Sequence, residues 1–105
     1  MPLTRQFKDT VRERVQRDPA FREALLREGV QCLLSGDIDA GKVILRDYIN
    51  ATIGFESLGQ AVGTPPKSLM RMFSQRGNPN ARNLLTIIGH LQKASGVELT
   101  VETRH

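Results

Sequence analysis

Residues 55–73 read Phe-Glu-Ser-Leu-Gly-Gln-Ala-Val-Gly-Thr-Pro-Pro-Lys-Ser-Leu-Met-Arg-Met-Phe, and their spacing decides the fold. Leu58, Ala61 and Val62 supply the inner face of one short helix, and Leu69, Met72 and Phe73 that of a second. Gly63 falls between them, where a tight turn needs positive φ and no side chain. Two short helices about a glycine-containing turn describe a helix-turn-helix, whose second helix enters the major groove of DNA. Pro66, Lys67, Ser68, Met70, Arg71 and Gln75 are the outward positions of that second helix. Lysine and arginine there bond guanine edges or phosphates, and serine bonds either.

Charge points the same way. The 105 residues carry 15 Lys and Arg against 11 Asp and Glu, a net +4. Between residues 55 and 96 the basic groups are Lys67, Arg71, Arg76, Arg82 and Lys93, opposed by Glu56 alone, so this stretch accounts for the whole surplus. A solvated face is the plain explanation of a basic segment, but one this poor in acids favours a polyanion, nucleic acid before a membrane surface.

Helical signals extend outward on both sides. Phe7, Val11 and Val15 form a narrow apolar stripe on a helix over about Leu3 to Gln16. Asp18-Pro19 reads as a cap and first-turn proline, opening a helix to about Leu34 that buries Phe21, Leu25, Val30, Cys32 and Leu33 or Leu34. Asp37 caps a third helix with Ile38, Leu45, Tyr48 and Ile49 on one face, closed by Gly54. Asn80 caps the last helix, with Leu84, Leu85, Ile87, Ile88 and Leu91 inside and Gly96 at its end. The tail alternates Val97, Leu99 and Val101 with Glu98, Thr100 and Glu102, the period of a half-buried strand. A lone strand needs a partner, so it predicts pairing with a second copy or another subunit; otherwise it is a tail packed on the last helix.

Residues 45–92, LRDYINATIGFESLGQAVGTPPKSLMRMFSQRGNPNARNLLTIIGHLQ, together with the GVELTV that closes the domain, resemble the Cro/repressor-like (XRE) helix-turn-helix family. The nearest likeness is to its antitoxin branch, the HigA-like addiction-module antidote proteins. The likeness covers about half the chain and includes the turn Ser74-Gln75-Arg76-Gly77-Asn78-Pro79 before a capped final helix. It implies an all-α bundle of five to six helices with a lambda-repressor-like helix-turn-helix and a short C-terminal strand. Residues 1–36 would be an added helical arm, 37–96 the DNA-binding domain and 97–105 the strand and tail. Position by position, the resemblance makes Lys67, Ser68 and Arg71 base-facing. It sets Gln60, Arg76, Asn78, Asn80 and Arg82 against phosphates, the last two through the N-terminus of the final helix. Val97, Leu99 and Val101 would pair a homodimer. The implied function is a sequence-specific, autorepressing antitoxin acting on double-stranded DNA with a cognate toxin. Pro65-Pro66 departs from the family, which often has a Ser and a Gln there; prolines give no N–H and narrow the direct readout. This leaves a second reading, a protein-interaction module on the same scaffold.

An enzyme reading has one foothold. Gly36-Asp37-Ile38-Asp39-Ala40-Gly41-Lys42 matches G-x-x-x-x-G-K, the phosphate loop of nucleotide hydrolases. Val43 follows where a hydroxyl should hold magnesium, Asp37 and Asp39 would repel phosphates, and the preceding residues read as helix rather than strand. A helix–turn–helix corner fits better. His90, His105 and the single Cys32 supply neither a nucleophilic constellation nor a zinc site, so no active site, metal or cofactor is expected. No apolar run reaches the ~18 residues of a membrane span, and the charged N-terminus is unlike a signal peptide. A cytoplasmic location is the expectation.

Overall fold

Three of the helices start where a polar side chain accepts the orphan amides of the first turn. In the computed structural model, which describes the backbone of residues 5–105 and the side chains of residues 10–105, the Asp18 carboxylate accepts from the N–H groups of Ala20 (3.1 Å) and Phe21 (3.2 Å). Asp37 accepts from the Ala40 N–H at 3.2 Å, and the Asn80 side-chain oxygen from the Asn83 N–H at 2.8 Å. The resulting helices are α1 (Arg5–Arg17), α2 (Pro19–Leu34), α3 (Ile38–Ala51), α4 (Phe55–Val62), α5 (Pro66–Met72) and α6 (Ala81–Ser95). Leu3, where the first helix was expected to begin, and the side chain of Phe7 of the first apolar stripe lie outside the described residues. Val15 of that stripe is fully buried.

One core joins the elements. Leu26 of α2, Leu45, Tyr48 and Ile49 of α3, Phe55 and Leu58 of α4, Leu69 of α5 and Ile87, Ile88 and Leu91 of α6 are buried in a single cluster that also takes in Phe73. Phe55 and Phe73, the ends of the quoted stretch, meet as tilted rings with centroids 6.1 Å apart. The most extensive helix contact is α2 against α3, so the N-terminal arm is packed into the molecule rather than standing off it.

Several expectations are corrected. Residues 97–105 contain no strand: Val97 donates its N–H to the Gln92 carbonyl (3.0 Å) and Leu99 to the Gln92 side-chain oxygen (2.8 Å). Val97 and Leu99 are half-buried, Leu99 against the core, while Val101 is 83% exposed. The period-2 alternation therefore belongs, within the single chain, to an extended tail laid against α6, and Val97, Leu99 and Val101 form no strand there. Leu85 is exposed, because α6 turns 84, 87, 88 and 91 inward and residue 85 lies about 60° beyond Ile88, outside that arc. Ile38 is exposed at the first residue of α3, and Ala61 is exposed on α4, where Phe55, Leu58 and Val62 face inward instead. Of the Leu33–Leu34 pair it is Leu33 that packs.

The cap of α6 gives a stability test. Replacing Asn80 by alanine leaves an N–H of the first turn without its partner and lowers unfolding free energy by about 1 kcal/mol, measured by urea denaturation.

Candidate nucleic-acid interface

The junction between α4 and α5 is made by Gly63, which adopts φ 73° and ψ 31°, the left-handed geometry that an L side chain resists. Pro65, with ψ 139°, turns the chain into α5, and its carbonyl accepts from the Ser68 (3.0 Å) and Leu69 (3.2 Å) amides. Leu69 is then fully buried, which fixes the roll of α5 and sends Lys67, Met70 and Arg71 to solvent. Ser68 is half-buried, and Met72 packs against the core as its spacing predicts.

Beyond α5 the chain folds back sharply. The Ser74 hydroxyl donates to the Arg71 carbonyl at 2.6 Å, and the Gly77 N–H donates to the Ser74 carbonyl at 3.0 Å. Gly77 comes so near the end of α5 that a Cβ there would collide with the Arg71 and Met72 carbonyl oxygens, so only glycine fits. The fold-back brings Ser68, Arg71, Arg76 and Asn78 together around one open groove, with Met72 and Gly77 in its wall. Gln60 lines a different groove, with Glu56, Gly63 and Pro65 on the α4 side of the turn. Lys67 and Arg82 are exposed and line neither of these two grooves. Asn80 is exposed, but its side-chain oxygen is engaged as the α6 cap, which leaves only its NH₂ for an outside partner.

The cations of this region are unpaired. Among the described residues Lys67, Arg71, Arg76 and Arg82 form no salt bridge, whereas Arg14 pairs with Asp18 (3.8 Å) and stacks on the Phe21 ring. Arg71 and Arg76 share one groove, with Lys67 on α5 and Arg82 at the start of α6, and exposed cations without an acid beside them can meet phosphate oxygens. No group of three or more His, Cys, Asp or Glu among the described residues is arranged to hold a metal ion.

Lys42, the terminal residue of the supposed phosphate loop, has a different use. The segment after Gly36 runs straight into α3, and Lys42 is only 3% exposed. Its ammonium donates to the carbonyls of Ser74 (2.9 Å), Gln75 (3.4 Å) and Gly77 (2.7 Å). It is thus engaged by the protein's own backbone, in a geometry that excludes the phosphate-loop reading of Gly36–Lys42. A signal for this was present in the sequence: Lys42 stands three residues before Leu45 and seven before Ile49, on the apolar arc of α3.

No model of a known protein family matches the chain, and no curated protein or solved structure does either.

Unpaired, exposed cations contribute little to folding. Changing Arg76 or Arg82 to alanine is expected to move the unfolding free energy by no more than about 0.5 kcal/mol, checked by denaturant titration.

Proposed function

We propose that this protein binds double-stranded DNA, placing α5 in the major groove with the turn after it and the start of α6 against the sugar–phosphate backbone. The observation that carries this reading is the set of four exposed, unpaired cations, Lys67, Arg71, Arg76 and Arg82, on the α5 side of a glycine-turned helix pair. Lys67, Ser68 and Arg71 are the base-facing set, and Gln60, Arg76, Asn78, Asn80 and Arg82 the phosphate-facing set. The resemblance to the Cro/repressor-like family, and to its antitoxin branch, supports a role as an autorepressor working with a cognate toxin in the cytoplasm. The active unit is a homodimer whose recognition helices reach half-sites ~34 Å apart, about one turn of DNA. Among the described residues no helix is long and apolar enough to cross a membrane.

The second reading, a protein-interaction module, rests on Pro65 and Pro66. They open α5 without an amide to donate, and Met70 adds an apolar side chain, 49% exposed, to the same face. The two readings part on salt. DNA binding releases counterions, so the four charged phosphate contacts of a homodimer, Arg76 and Arg82 from each protomer, predict a loss of roughly two orders of magnitude in affinity between 50 and 200 mM salt.

A fluorescence-anisotropy titration against the DNA upstream of the protein's own gene, beside scrambled DNA, tests the proposal. Tighter binding to the upstream DNA, falling steeply with salt and abolished in K67A/R71A, is the expected outcome. Equal, weak and salt-insensitive binding to both DNAs rejects it in favour of the interaction module.

A further inference from the structure

We propose that Lys42 is a positioning residue for the DNA-binding face: without reaching nucleic acid, it holds in place the turn that presents Arg76 and Asn78. This rests on the DNA-binding reading above and adds to it a residue that belongs to neither of its contact sets.

The ammonium is buried and lacks a carboxylate partner among the described residues, yet each of its three N–H bonds has a carbonyl to meet. Two of those carbonyls belong to Gln75 and Gly77, the residues on either side of Arg76. The peptide that carries the Arg76 side chain is therefore gripped on both sides by one cation rooted in α3. The third acceptor, Ser74, lies just past the C-terminus of α5, where a positive charge is favoured by the exposed carbonyls of the helix end. Gly77 is pressed against the Arg71 and Met72 carbonyls, so the turn is clamped between α5 and the ammonium. Without the cation the Gln75 and Gly77 carbonyls lose the donor they share, the Ser74 carbonyl keeps only the Gly77 amide, and the turn opens toward water. Arg76 and Asn78 then leave the groove they share with Ser68 and Arg71.

A positioning role predicts coupling, which simple loss of stability does not. In K42M the stem remains and the ammonium is gone. Affinity for the upstream DNA at 100 mM salt falls about tenfold, matching R76A, and the slope of log affinity against log salt drops by about one, as for one lost phosphate contact. The double variant K42M/R76A binds within about twofold of the weaker single, because the second change removes a contact already lost. K42M/R82A, by contrast, is multiplicative, since Arg82 rides on α6. A multiplicative K42M/R76A, or a folded K42M with unchanged affinity, overturns the proposal.

Amide hydrogen exchange reads the clamp with no DNA present. In K42M the Gly77 amide, which donates to Ser74, exchanges at least tenfold faster, while the Leu84 amide of α6 keeps its rate relative to global unfolding. Equal exchange of Gly77 in both proteins overturns the clamp. If K42M is unfolded at the measuring temperature, K42Q, whose shorter amide side chain retains two donors, is measured in the same cycle. Failure of the wild-type protein to bind DNA refutes the DNA-binding reading and the positioning role together; bound DNA with uncoupled Lys42 and Arg76 refutes the positioning role alone.

Discussion

A buried ammonium with no carboxylate beside it among the described residues has to be neutralised by dipoles, and that requirement organises the half of this molecule from α3 to α6. Lys42 finds its dipoles in the turn after α5, 32 to 35 residues along the chain. For the contact to form, α3 must lie across the end of α5, and the turn must bend far enough to aim several carbonyls at one point. Gly77 permits the bend, because any larger residue would meet the last carbonyls of α5. Leu69 and Phe73 then complete from below what Lys42 fixes from the side, both essentially inaccessible to water. The helix pair, the turn and α6 thus share one set of constraints, and the cationic surface inherits its geometry from them.

What was legible in the sequence is what depends on near neighbours. Asp18, Asp37 and Asn80 cap helices by reaching two or three residues ahead, and Gly63 turns the chain within a single residue, so each could be read from its immediate context. Helix faces were legible where apolar residues keep to one arc. They were misread at the edge of an arc, as at Leu85, where apolar character alone does not place a residue inside. The tail was misread for a related reason: an extended segment lying on a helix alternates its faces just as a paired strand does, and only the hydrogen bonds to Gln92 separate the two.

The candidate site was legible as a list of residues but not as a shape. Lys67, Arg71, Arg76 and Arg82 announce themselves by charge, yet that Arg71, Arg76, Ser68 and Asn78 share a groove while Gln60 faces another follows from how the chain folds back after Phe73. The burial of Lys42 was legible from its place on the apolar arc of α3, but its partners were not. Its place after Gly41 matches a phosphate loop, while its actual partners are backbone atoms too far along the chain for any local pattern to register.

The brevity of α5 has a consequence of its own. Seven residues opened by prolines cannot sustain a helix in water, so its order comes wholly from the packing and anchors around it. If α5 reads DNA as proposed, a helix held at both ends has little freedom to adjust, and the adaptation falls on the duplex, which must bend or narrow its grooves to bring phosphates to the cations around it. Base steps that deform easily would then be favoured at positions no side chain reaches, and the operator would be chosen partly by its mechanics.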